Sequence, residues 1–297
     1  MNVRQTSMSV LTTPTLPVLQ RSRGIVRLAF KLRDNSTVLN ELYQQGGYFA
    51  KLPASENGHP TEAVLINTSG GVTDGDILET DVRWCPGTLA TVTTQAAERV
   101  YKSRYGLSKF TTKLFVDKDS TAFWLPQEMI LFDGGRYTRS TEIKISGNGK
   151  LLALESLVLG RTAMGEYIHN GFVMDSWRVY LDNRLIFADT FGLDDNVADL
   201  QKILLRSAVS GGARALATLV YIGNDAQQQL KFIRYLLNEC DLCSGATNFG
   251  QITLVRLLAD DGQSLRAALI KLIESMQQKI FCSDENNGSL LPRVWFC

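Results

Sequence analysis

Histidine is almost missing from this sequence: His59 and His169 are the only two among 297 residues. A serine–histidine triad or a histidine-bearing zinc hydrolase needs an imidazole held by partners at motif spacing, and neither residue has that setting. His59 falls in a Gly- and Pro-containing stretch, residues 55–60, where a solvated side chain is expected. Cysteine is scarce too, five in all. An odd count in a chain long enough to bury its own core points to a reducing compartment, the cytoplasm, rather than to a disulfide framework. No apolar run approaches the ~20 residues of a membrane-spanning helix; residues 204–220 are interrupted by Arg206, Gly211, Gly212 and Arg214. Net charge is missing as well: 31 Lys plus Arg against 30 Asp plus Glu leave +1. That balance argues against a protein that works by neutralising a nucleic-acid backbone. Residues 1–19 have no sustained apolar core, being broken by Pro14 and Pro17. They read as a flexible extension over residues 1–18 ahead of one β-rich domain, 19–297, and not as a secretory leader.

What is present belongs to a folded protein, with 44% hydrophobic and 21% charged residues. Residues 24–33 alternate, with Val26, Leu28, Phe30 and Leu32 on one side and Arg27, Lys31 and Arg33 among those opposite, as a half-buried strand requires. Similar strands are predicted at 63–66, 77–84, 89–94, 110–116, 121–125, around Ile143, at 151–159 and through 177–187. Gly70-Gly71, Asp74-Gly75, Pro86-Gly87 and Asp133-Gly134-Gly135 punctuate them as turns, and Asp182-Asn183 reads as a hairpin turn. Two helices are predicted near the C-terminus. Residues 226–239 carry Leu230, Ile233, Leu236 and Leu237 on one stripe, with Asn224 or Asp225 as cap. Residues 264–280 carry Leu265, Leu269, Leu272, Ile273, Met276 and Ile280. Residues 196–205 fit a short helix or a turn. The class is therefore mostly β, and the strands do not alternate with long helices as a doubly wound or barrel enzyme would demand. Periodicity does not choose between a sandwich and a helical stack of strands, and no repeat of fixed length is visible.

The chemistry-bearing groups are mostly carboxylates. The segment 67–76 (NTSGGVTDGD) lacks the lysine of a phosphate loop and leads into a strand rather than a helix, so its glycines are expected to serve positive φ or close backbone approach. Cys240-x-x-Cys243 has the spacing of half a metal site, with only Cys282 and Cys297 left to complete it. A structural role is the expectation there. Glu155, Arg161 and Glu166 sit in or beside a largely apolar run, where charges are costly to bury unless paired. Two other classes stay in view: a carboxylate-based hydrolase on Glu128 and Glu155, and an RNA-binding module on Lys102, Arg104 and Tyr105.

Seven blocks, LQRSRGIVRLAF, NTSGGVTDGD, TVTTQAAERVYKS, LPQEMILFDGGRY, LLALESLVLGRTAMGE, GGARALATLVY and LPRVWFC, run in order from Leu19 to Cys297. Together they resemble the urease accessory protein family UreD, also called UreH. The resemblance implies a right-handed helical arrangement of many short strands with a couple of helices. It implies a chaperone and not an enzyme, with no catalytic residue and no tightly bound cofactor. The expected scaffold binds UreF, recruits the GTPase UreG, which uses the GTP, and docks on apo-urease for nickel insertion, with no nucleic acid or membrane involved. The motif residues carried over are Gly70, Gly71, Gly75, Asp76, Thr94, Gln95, Lys102, Glu128, Asp133, Glu155, Arg161 and Glu166. Asp74 stands where relatives often have glycine. No fixed metal ligand is assigned. A carrier that must release Ni²⁺ should not cage it in imidazole and thiolate, so Asp76, Glu128, Glu155 and Glu166 are the candidates for a transient nickel path.

Overall fold

Apolar side chains at every second position turn most of the chain into strands, and their pairing winds it into a β-solenoid. In the computed structural model the described residues are 20–54, 59–196, 199–281 and 289–296. The extension 1–18, Cys282 and Cys297 lie outside them, as does the side chain of Ile280. Within them run β1 (Arg23–Arg33), β2 (Ser36–Gln45), β3 (Tyr48–Lys51), β4 (Thr61–Asn67), β5 (Ile77–Trp84), β6 (Leu89–Thr94), β7 (Glu98–Val100), β8 (Ser108–Val116) and β9 (Thr121–Leu125). There follow β10 (Met129–Leu131), β11 (Arg136–Ile145), β12 (Lys150–Leu159), β13 (Phe172–Leu181), β14 (Arg184–Asp194), β15 (Ala215–Ile222), β16 (Cys243–Phe249) and β17 (Ile252–Ala259). The α-helices are α1 (Leu200–Leu204), α2 (Ala226–Asn238) and α3 (Gly262–Met276).

Each coil gives one strand to each of two sheets. The first sheet has the order β14-β13-β11-β8-β5-β1-β2, parallel from β1 through β13 and closed at each edge by an antiparallel strand. The second runs β16-β17-β15-β12-β9-β6-β4-β3, parallel from β4 to β12. Along it Thr61 pairs with Ala90, Ala90 with Ala122 and Ala122 with Leu151, steps of 29, 32 and 29 residues. Across the first sheet Leu78, Phe110, Arg139 and Asp175 pair in turn, steps of 32, 29 and 36. Unequal coils explain why no fixed repeat shows in the sequence. A narrow third face stacks Val72, Val100, Leu131 and Leu159, all essentially buried.

β12 is the hinge of the architecture. Leu151, Ala153, Leu157 and Leu159 point into the solenoid, while Leu152, Leu154 and Val158 point outward beneath α2 and α3. Because both faces are covered, its sequence reads as a continuous apolar run instead of an alternation. The helices use their apolar stripes on this outer face: Ile233 and Leu237 from α2, and Leu265, Leu269, Leu272, Ile273 and Met276 from α3. Asp261 caps α3 by accepting the Ser264 N–H at 2.8 Å. Both predicted C-terminal helices form, and residues 200–204 take the helical option. The Asp182-Asn183 hairpin forms with both residues in the left-handed region, φ 47° and 66°. Seven strands were not predicted: β2, β3, β7 and β10, and β15, β16 and β17, which extend the second sheet beneath the helices.

Candidate functional site

The stacking of coils sets side chains of equal register above one another, and one inward row is polar. Thr80, Thr112 and Thr141 are paired neighbours on β5, β8 and β11, and all three are buried. The Tyr48 hydroxyl meets Thr80 Oγ1 at 3.1 Å, and Thr141 donates to Glu155 Oε1. The next row carries Arg139 and Asp175 on adjacent strands. Glu155 faces them from β12, its Oε2 lying 3.2 Å from Arg139 Nε, and Arg139 Nε also donates to Asp175 Oδ2 at 3.0 Å.

Tyr48, Thr80, Thr112, Arg139 and Glu155 line a cavity of about 220 Å³ together with Thr94, Gln95, Glu98, Gly70 and Gly71. Arg139 and Glu155 also line a small cleft with Asp175, Trp177 and Asp189, so both border two hollows.

One guanidinium faces two buried carboxyls. Burial pushes the Glu155 carboxyl well up, against the pull of Arg139 and with help from Asp175. Burial opposes the charge of Arg139, but Asp175 and Glu155 outweigh it and hold the guanidinium protonated. The low-energy arrangement is an Arg139–Asp175 ion pair beside a protonated Glu155, because a surplus buried charge is the costlier choice. Nearer the glycine loop, Glu98 accepts both bonds of Asn67 Nδ2, at 3.0 and 3.1 Å. Burial nevertheless pushes its carboxyl up to about 7. Burial thus raises the proton affinity of two carboxyls that line this cavity, the buried Glu155 and the half-buried Glu98.

Of the four acids expected on a path, Glu155 alone lines this cavity. Asp76 accepts from Ser22 N–H at 2.8 Å and Thr73 N–H at 2.9 Å, closing the turn before β5. Glu128 pairs with Arg266 of α3 at 3.0 Å, so the carboxyl groups of Glu128 and Glu155 lie against separate arginines. Glu166 accepts from Arg161 Nε at 2.9 Å and from the Arg161 N–H at 2.9 Å, and these contacts hold its carboxyl below the usual range despite partial burial. Asp133 accepts the N–H groups of His169 and Asn170 at 2.7 and 2.8 Å. Lys102 lays its stem on Gly134, while Thr94 accepts the Gln127 N–H at 2.9 Å. Gly71 approaches β7 so closely that a Cβ there would meet Arg99 O at 2.7 Å. Asp74 has an ordinary negative φ; burial works to raise its carboxyl, but the N–H groups of Arg104, Gly106 and Tyr105 together lower it.

Glu98, Arg139, Asp175 and the threonine row escaped sequence reading. Inward register was their signal: Arg139 and Thr141 occupy the positions that Ile143 and Ile145 continue, where apolar residues are the rule. Cys240 is half-buried at the edge of the helix-covered core, and its Sγ lies 3.4 Å from Leu236 O. Among the described residues no three His, Cys, Asp or Glu side chains converge as a metal-holding group, and no helix is long and apolar enough to cross a membrane.

A family model described as UreD urease accessory protein matches residues 22–296. The chain is 38% identical over 288 residues to a urease accessory protein UreD of Rhizobium etli, covering 97% of this chain and 99% of that one. It is 37% identical over 287 residues to that of Xanthobacter autotrophicus, covering 97% and 94%. Against UreD 1 of Brucella melitensis the identity is 37% over 280 residues, covering 93% and 95%.

Proposed function

Because this chain belongs to the UreD family of urease accessory proteins, and so serves urease maturation, we propose that it is the scaffold through which nickel reaches apo-urease. In this reading it binds UreF, recruits the GTPase UreG, and passes Ni²⁺ along its polar interior by way of Glu98 and Glu155. One observation carries the reading: a cavity in the β-solenoid is lined by the buried Glu155 and the half-buried Glu98, both with raised affinity for protons, and among the described residues no histidine or cysteine lines it.

Chemistry supports the choice. Nickel is held firmly by nitrogen and sulfur donors and weakly by isolated oxygens. Each carboxyl that gives up its proton as the cation enters, and recovers it on release, cancels one of the two positive charges of Ni²⁺, so Glu98 and Glu155 together bring the passage near neutral. Hydroxyls of Tyr48, Thr80 and Thr112 supply further oxygen along the way. Asp76, Glu128 and Glu166 are better read as the joints that hold the walls in place.

The test is reconstitution of apo-urease with nickel, bicarbonate, GTP, UreF and UreG, with and without this chain. Activation that requires the chain, together with its co-purification with UreF, is expected. Equal activation in its absence, or a chain that stays monomeric beside UreF and UreG, would overturn the proposal.

A further inference from the structure

A second hollow lies between the loop following β12 and the segment around α1. It has a volume of about 410 Å³ and is lined by Leu159, Ile168, Leu204, Leu205, Ala213 and Gly212, with Tyr167, His169 and Gln201 at its margins and Arg214 in its wall. Size and composition are those of a ligand pocket, apolar with a few converging polar groups.

Arg214 is the informative member. It is half-buried and spends Nη2 on the carbonyls of Leu159 and Glu166, while the guanidinium lies 4.6 Å from the centre of the Tyr167 ring. Among the described residues no carboxylate comes within ion-pair distance of it; the nearby Glu166 carboxylate is bound to Arg161. A cation set into an apolar wall without a counter-ion is an incomplete arrangement, and a carboxylate completes it best, because the fork of a guanidinium matches its two oxygens. The rim points to a macromolecule as the source. Leu205 is 70% exposed and Tyr167 58% exposed; two large apolar side chains standing in solvent beside an apolar pocket extend the surface beyond what a small molecule covers.

We propose that this pocket docks a segment of a protein partner bearing a bulky apolar side chain next to a carboxylate, the apolar group filling the space between Ile168 and Leu204 and the carboxylate pairing with Arg214. The proposal deepens the scaffold reading by naming a partner surface, and it does not depend on the nickel path.

The test uses the full chain and fluorescein-labelled twelve-residue peptides carrying Phe-Glu or Phe-Gln at their centre, with binding read by fluorescence anisotropy. The Phe-Glu peptide should bind about tenfold tighter, the scale of one charge-assisted hydrogen bond. Arg214→Gln should erase that preference, and Leu205→Glu, a change at an exposed side chain that leaves the fold intact, should weaken both peptides. Equal binding of the two peptides by the wild-type chain, or a preference that survives Arg214→Gln, would overturn the proposal. Displacement by N-acetylphenylalanine at the same concentration as by peptide would also overturn it, by assigning the pocket to a small carboxylate. Peptide binding is read on the isolated chain, so its failure leaves the maturation reading untouched, and failed urease activation leaves this result standing.

Discussion

The two faces of β12 are built on opposite principles. Outward, Leu152, Leu154 and Val158 meet α2, α3 and Trp295 in an apolar cluster. Inward, the same strand carries Glu155 between Ala153 and Leu157, opposite Arg139, Asp175 and a row of threonines around a cavity. The outer face is filled the way stability demands. The inner face leaves space and buries charge where leucines would pack more cheaply, a compromise expected where interior polarity serves a function. Burial is equally complete on both sides, so burial alone does not distinguish a core from a passage; what occupies it does.

Substitutions on the two faces sharpen this contrast. The largest effect is expected from Arg139→Met, which leaves Asp175 and Glu155 facing each other without a cation. By analogy with other broken buried pairs it should cost about 3–5 kcal/mol in denaturant unfolding. Leu272→Ala, on the outer core, should cost about 2–4 kcal/mol through the cavity it leaves, with no change in the pH profile of stability. Glu98→Gln should act in the opposite sense at high pH. The folded carboxyl titrates at about 7 against an ordinary value of 4.5; between those limits the native state binds more protons than the unfolded chain, so wild-type stability falls as pH rises through that window and is level above it. Relative to the wild type, the glutamine variant should gain up to about 3 kcal/mol between pH 4.5 and 8, read from paired urea melts. Glu155→Gln removes a carboxyl whose pKa burial also raises, so by the same linkage it should not destabilise at pH 7 and should gain stability relative to the wild type as pH rises above the ordinary carboxyl range. A loss as large as that of Arg139→Met would mean that Glu155 is ionised and that the interior is an ordinary salt-bridge core.

Much of this was legible beforehand, and the gaps have physical causes. Strand alternation and turn residues located β1, β4–β6, β8, β9 and β11–β13 but not the short β3, β7 and β10 or the edge strand β2, and helical spacing located α2 and α3. The seven blocks identified the family and hence the solenoid. Strands β15 and β17 were hidden because both their faces are covered, which removes the alternation. At the site, Glu155 stood out as an acid inside an apolar run. Asp76, Glu128 and Glu166 stood out equally, although their partners, Ser22, Arg266 and Arg161, tie them into the walls. Only register across neighbouring coils separates the two groups, and register depends on coil lengths of 29, 32 and 36 residues that a single sequence does not reveal. Glu98 was passed over because its neighbours in sequence, Ala97 and Arg99, carry no sign that it lines the cavity.

The most direct test is the nickel content of urease matured with a Glu98→Gln/Glu155→Gln double variant, set beside Leu272→Ala at a temperature where both chains are folded. Loading should fall about tenfold or more in the double variant, the scale expected when oxygen ligands lose their charge, and should hold near the wild-type level in the outer-core variant. Full nickel occupancy with the double variant, still bound to its partners, would contradict the claim that the inner face of the solenoid conducts the metal.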